Sequence, residues 1–208
     1  MNTNHDIYIE QDGIEYLLQD EQKTAFIVGL SNFQFSKIIP RSIYYKSNEY
    51  VITQIRETNS TYQYPSINFS PDTEIQEIKA KSFLESKLYT FNVPPRLTKL
   101  CEDIFYNSRF LSHVIIPDNS ELQVIEKCAF YNTRIQILNF PSKLHELQKG
   151  WCQNTPYLNT ITIHPDNQYF KLYDNQLVIK KSSPKSANYE ILVFCIRNIE
   201  RKVIIPNF

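Results

Sequence analysis

The histidines and cysteines are the side chains best suited to metal or nucleophile chemistry, and their spacing supports neither. His5, His113, His145 and His164 are scattered, with no H-E-x-x-H among them. Cys101, Cys128, Cys152 and Cys195 form no C-x-x-C pair. Zinc or thiol chemistry needs such ligands brought together by short, regular spacing. The chain has no G-x-x-x-x-G-K-[ST], no G-x-G-x-x-G and no G-x-S-x-G, so phosphate cradles and nucleophile elbows are not signalled. Gly13, Gly29 and Gly150 are its only glycines, which leaves few places for close backbone approach to a ligand. Carboxylates such as Glu121 and Glu126 read as a solvated rim, and Trp151 beside Cys152 reads as a core substitution. The expectation is a non-enzyme with no catalytic residue, no cofactor and no metal. The alternative is an enzyme or small-molecule binder with its site in the N-terminal segment and the rest as scaffold.

What positions these residues is a repeat. Pro71, Pro94, Pro117, Pro141 and Pro165 stand 23, 23, 24 and 24 residues apart. A fixed period in this range is the mark of a solenoid. The apolar residues keep the same beat: Ile75, Ile78, Phe83, Leu88, Phe91 and Val93 behind Pro71, then Leu97, Leu100, Phe105, Leu111, Val114 and Ile116 behind Pro94. Leu122, Ile125, Phe130, Ile135, Leu138 and Phe140 follow Pro117. Leu144, Leu147, Cys152, Leu158, Ile161 and Ile163 follow Pro141. Before each proline a short β-branched run reads as a strand. Proline lacks an N–H and stops it. A second short extended stretch follows, then a single helical or 3₁₀ turn that carries an inward aromatic. Asn107, Asn132 and Asn154 come after the aromatic position and suit a turn, because Asn tolerates positive φ. One unit cannot bury its apolar face alone. Stacking buries it and makes ladders such as Phe83, Phe105, Phe130 and Cys152.

The pattern resembles the BspA-like leucine-rich repeats of bacterial and protozoan surface proteins, most closely in IEKCAFYNTRIQILNFP, and it spans roughly residues 67 to 165. The family's usual "IG" before the aromatic is here IK, LC, IE and LQ, and its alanine survives only as Ala129. The resemblance implies a mainly β fold with short helical turns, a right-handed leucine-rich-repeat solenoid with a β N-terminal cap. It also implies a surface antigen or adhesin that recognises host or partner proteins.

Three segments follow: residues 1–56 as the cap, 57–165 as about four repeats, and 166–208 as a hairpin flank with the start of a further repeat. In the cap, GIEYLLQ and TAFIVGL read as strands around the polar turn Gln19 to Lys23. SIYYKSNEYVITQI reads as a hairpin around Ser47-Asn48-Glu49. Ile39-Pro40, Ile43 and Ile55 read as a half-repeat lacking its aromatic at Ser60. In the flank, NQYFKLYDNQLVIKK and YEILVFCIRN read as two strands, and KVIIPNF restarts the repeat.

The charge is balanced, 22 basic against 22 acidic residues, which gives no reason to expect nucleic acid as a partner. No apolar run reaches the roughly 20 residues that span a bilayer, and no signal peptide or lipidation motif is visible. The chain therefore reads as cytoplasmic from sequence and as cell-surface by resemblance, without membrane insertion. The polar loop KKSSPKSANYE disfavours a tight symmetric seam, so a monomer or weak self-association is expected. The cysteines are expected as reduced, buried or partly buried thiols. Two sequons, at Asn59 and Asn68, are about what chance supplies.

The surface left for function is the outward face of the strands that precede the prolines. Thr90, His113, Ile137 and Thr160 form one outward row, and Asn92, Ile115, Asn139 and Thr162 the next. Such rows are what repeat proteins use to bind extended protein surfaces. Ile115 and Ile137 are the most telling members, since solubility alone does not require them.

Overall fold

A computed structural model describes residues 6–30, 36–56, 66–173, 177–183 and 185–196. The chain opens with three antiparallel strands, β1 (Ile7–Gln11), β2 (Ile14–Gln19) and β3 (Thr24–Leu30). Asp12 and Gly13 link the first two at positive φ (52° and 72°), the conformation of a two-residue hairpin turn. β4 (Lys37–Ile39) already belongs to the solenoid, because it pairs in parallel with β7 (Ser66–Phe69). Between them β5 (Ser42–Tyr45) and β6 (Asn48–Ile55) form a hairpin. Its turn is Lys46-Ser47, both at positive φ, one residue earlier than the sequence indicates. β6 then runs parallel to β3 on one side and to β8 (Glu77–Ile78) on the other. Ile39, Ile43 and Ile55 are all buried, so the half-repeat is a real first coil. Ser60 lies outside the described residues.

The repeats continue as alternating short strands. β9 (Thr90–Asn92), β11 (His113–Ile115), β13 (Ile137–Phe140) and β15 (Thr160–Ile163) extend a six-stranded parallel sheet in the order β15-β13-β11-β9-β7-β4. β10 (Lys99–Leu100), β12 (Val124–Ile125) and β14 (Glu146–Leu147) form a three-stranded parallel sheet elsewhere on each coil. Every apolar residue that keeps the proline beat is buried, Ile163 only partly, and all but Ile163 belong to one continuous core with the cap residues.

The aromatic turn differs in detail from the helical turn read from the sequence. It is a string of reverse turns, and no helix is present among the described residues. Ile104, Tyr106 and Ser108 donate to Cys101, Asp103 and Phe105 within the coil. The amides between them, Asp103, Phe105 and Asn107, donate to Lys127, Ala129 and Tyr131 of the next coil. Alternate amides thus leave the coil, and positive φ at Asp103 (57°) and Asn107 (59°) interrupts any helical run. The same two positions recur at positive φ in neighbouring coils: Lys81, Asp103, Cys128 and Gly150 at one, Glu85, Asn107, Asn132 and Asn154 at the other.

Aromatic stacking runs along the axis. Phe83 and Phe105 stack at 5.6 Å, as do Phe105 and Phe130. The Phe130 amide donates to the Trp151 carbonyl, which aligns Phe130 with Cys152 as the sequence indicates. The Trp151 ring takes up the missing bulk, edge-on to Phe130 at 6.3 Å and to Phe140 at 6.0 Å. Each such pair contributes about 0.5–1.5 kcal/mol beyond its area burial.

The last coil is covered by an antiparallel sheet of β16 (Phe170–Tyr173), β17 (Leu177–Lys181) and β18 (Tyr189–Cys195). The run NQYFKLYDNQLVIKK therefore contains two strands rather than one. Phe170 packs on Phe140 and Phe194 on Trp151, while Val178 and Ile196 are buried. Asn167 joins the two parts. Its Nδ2 donates to the carbonyls of Pro141 (2.7 Å) and Leu144 (2.9 Å), and its Oδ1 accepts from the amides of Tyr169 and Phe170. The KVIIPNF segment lies outside the described residues.

Candidate protein-binding face

Register on the six-stranded sheet places the outward side chains. His113 lies opposite Thr90 and Ile137, and Ile137 opposite Thr160. Ile115 lies opposite Asn92, and Asn139 opposite Thr162. All eight residues singled out from the sequence thus share one face in two adjacent rows. Ser66 and Asn68 lengthen those rows by one strand, through Ser66 opposite Thr90 and a bond from Asn92 Nδ2 to Asn68 Oδ1. Thr162 Oγ1 donates to Asn139 Oδ1 at 3.0 Å. With strands spaced about 4.8 Å apart, six strands present a surface some 24 Å across.

The face is apolar where solubility would call for polar groups. Ile115 is 52% exposed and Ile137 57% exposed, with Ile38 of β4 exposed nearby in sequence register with Asn68. Three exposed aromatics, Tyr89, Phe110 and Tyr157, stand at the entry to β9, β11 and β15. Sequence reading missed them. Each adjoins a core leucine (Leu88, Leu111, Leu158), so a continuous apolar pair hid which member faces out. Tyr89 leans on the His113 ring at 5.3 Å, and Ser112 Oγ lies 2.8 Å from His113 Nδ1. The Arg134 guanidinium covers the Tyr157 ring at 5.7 Å.

The three-stranded sheet is different in kind. Its outward side and the segments that flank it carry ion pairs: Lys99 with Glu126 at 3.1 Å, Lys127 with Glu102 at 3.2 Å, Lys143 with Glu121 at 2.5 Å. These are exposed pairs of small energetic weight, as expected for a solvated rim. The two sheets therefore divide the surface into a side of ion pairs and a side without carboxylates that holds the exposed Ile115 and Ile137.

Open depressions flank the face rather than cut into it. One, of about 270 Å³, lies among Glu85, Ser86, Lys87, Asn107, Arg109 and Phe110. Another, of about 470 Å³, lies at the proline end between Arg41, Glu74, Arg96 and Glu121. Among the described residues, no three histidine, cysteine or acidic side chains come together as a metal set. The cysteines are free thiols, three half-buried and Cys152 buried. Burial, followed by the Glu126 carboxylate, pushes the Cys101 thiol up; burial and Asp103 do the same to Cys128. Neither is tuned toward a thiolate nucleophile. Among the described residues no helix is long and apolar enough to cross a membrane.

A family model described as the BspA type leucine rich repeat region matches residues 57–175 in six copies. No curated protein sequence matches the chain. Among solved structures, the pneumococcal vaccine antigen PcpA superposes with a TM-score of 0.66 at 17% identity, over 86% of this chain and 55% of that one. A leucine-rich repeat protein of Bacteroides ovatus gives 0.60 at 22% identity, over 76% of this chain and 41% of that one. A leucine rich cell surface protein of Faecalibacterium prausnitzii gives 0.54 at 17% identity, over 99% of this chain and 66% of that one. The chain spans less than two thirds of each of these proteins, and at such identities the likeness is one of fold.

Proposed function

The chain belongs to the BspA-type leucine-rich repeat family, and from that premise we propose that it is a non-enzymatic protein-interaction module acting at a cell surface. Its binding surface is the outward face of the six-stranded sheet, centred on Thr90, Asn92, His113, Ile115, Ile137, Asn139, Thr160 and Thr162. One observation carries this reading: Ile115 and Ile137 stand more than half exposed at diagonal positions on adjacent strands of the sheet, whereas the side of the other sheet is crossed by ion pairs. Apolar side chains held rigidly in the open lose little entropy on contact, which is what a recognition surface needs. The surface location is supported by two fold relatives whose descriptions name a vaccine antigen and a cell surface protein. Adhesion to host proteins is the role this combination fits.

The test is photo-crosslinking. A benzophenone side chain at position 137, and in a second protein at position 148 just after β14 of the three-stranded sheet, is activated on cells or extracts that present natural partners. Adducts at 137 that vanish in an Ile115→Asp background, with none at 148, support the reading. Equal adducts at both positions contradict it. Surface location is checked separately, by labelling the native protein on intact and on permeabilised cells.

A further inference from the structure

Resting on that reading of the sheet face, the charge distribution says what kind of partner the face takes. The margin where each chain turn enters the sheet carries Lys87, Arg109 and Arg134, all exposed. None of the three makes an ion pair with a described residue, although Lys79, Lys99, Lys127 and Lys143 on the opposite side are all paired. The eight face positions hold no carboxylate. Aspartates gather instead at the far margin, after the prolines, as Asp72, Asp118 and Asp166. The basic margin is also the aromatic one, since Phe110 adjoins Arg109 and Tyr157 lies under the Arg134 guanidinium. The 270 Å³ depression sits there between Lys87 and Arg109, floored by Ser86 and Asn107. Its one carboxylate, Glu85, accepts from Asn107 Nδ2 at 3.4 Å, and the two cations outnumber it.

We propose that the face binds an extended acidic protein segment whose carboxylates meet Lys87, Arg109 and Arg134 and whose apolar side chains seat between Phe110, Tyr89 and Ile137. Uncompensated cations beside exposed aromatics match a ligand that alternates negative and apolar groups. Backbones of adjacent coils lie about 5 Å apart in the sheet that these cations border, a spacing that side chains on one extended segment can span. A sulfated polysaccharide fits less well. It would take the three cations but leave the exposed Phe110 and Tyr157 beside them unused.

A random twelve-residue peptide library, displayed on phage and panned against the full chain, tests this. Enriched peptides are synthesised and titrated against the native chain, Lys87→Ala/Arg109→Ala/Arg134→Ala, and Ile115→Ser/Ile137→Ser. All the substitutions are at exposed positions, and thermal melts confirm folding. The proposal expects enrichment of aspartate and glutamate with aromatic or aliphatic residues. It expects roughly tenfold weaker binding to each variant, and weakening with salt from 50 to 500 mM. Peptides without acidic bias that lose affinity only with the isoleucine variant overturn the acidic-partner inference and leave the face reading standing. Peptides indifferent to both variants, or no enrichment, overturn both. Heparin binding that depends on the three cations, with no acidic peptide selected, overturns the inference in favour of a polysaccharide.

Discussion

Asn132 Nδ2 donates to Asn107 Oδ1 at 2.8 Å, and Asn154 Nδ2 repeats the contact on Asn132 Oδ1 at 2.9 Å. All three backbones are at positive φ. Asparagine therefore does two jobs in these three coils: it takes the left-handed turn at low cost and links the coil to its neighbour. Asn132→Gly keeps the first job and loses the second, while Asn132→Ala loses both. Chemical denaturation should rank them wild type, then glycine, then alanine, with alanine costing about 1–3 kcal/mol. Equal losses for the two variants would show that the side-chain ladder contributes nothing.

The core ladders give a sharper contrast. Ile125 is fully buried on β12, whereas Glu121 makes an exposed ion pair with Lys143. Ile125→Asp should unfold the domain, since an unpaired buried charge costs several kcal/mol. Glu121→Lys should change stability by at most about 1 kcal/mol. Similar melts for the two would mean that the register is wrong.

Gly150 has φ of +77°, and a Cβ built there meets only the Gln153 side chain at 3.4 Å. Gly150→Ala is thus limited by backbone conformation rather than space, and should cost about 1 kcal/mol. Lys81 occupies the same turn position with φ of 63° and an exposed side chain. Lys81→Gly should be neutral or stabilising by up to about 1 kcal/mol. Opposite shifts in melting temperature for the pair would establish the turn; parallel losses would contradict it.

Asn167 is 7% exposed and uses all of its amide to tie the last coil to the C-terminal sheet. Asn167→Ala leaves the Pro141 and Leu144 carbonyls without this donor and should cost about 2–4 kcal/mol. Asn167→Asp keeps the acceptor but turns a carboxylate toward two carbonyls, so it should be no better than alanine. Retained stability in either variant would remove Asn167 from the joint.

Much of this architecture could be read from residue types because the repeat makes each inference several times over. One Phe-Tyr-Asn turn is ambiguous; Phe105 and Phe130, each followed by a tyrosine and an asparagine, are not. Tyr106 and Tyr131 stack at 4.5 Å as that register requires. The outward rows followed from the period of two along each strand. What escaped notice carried no repeated signal. Asn167 looks like any loop asparagine until its four bonds are seen. Lys81 and Cys128 occupy left-handed turns without a glycine to mark them. β1 was legible, since Asp12-Gly13 after the alternation Ile7-Tyr8-Ile9-Glu10 is a strong hairpin signal, but the polar start of the chain outweighed it. The basic margin was missed because the apolar beat drew the reading: Lys87, Arg109 and Arg134 each stand two residues after the left-handed turn at Glu85, Asn107 and Asn132, a register that the folded chain makes plain.

Hydrogen exchange of the full chain with and without a bound protein partner or selected peptide tests the central claim most directly. The sheet-face account predicts slowed exchange in segments 87–92, 109–115, 134–139 and 157–162. It predicts none at 99–100, 124–125 and 146–147 on the ion-paired sheet. Protection confined to that second sheet, or to residues 6–30 of the cap, would contradict it.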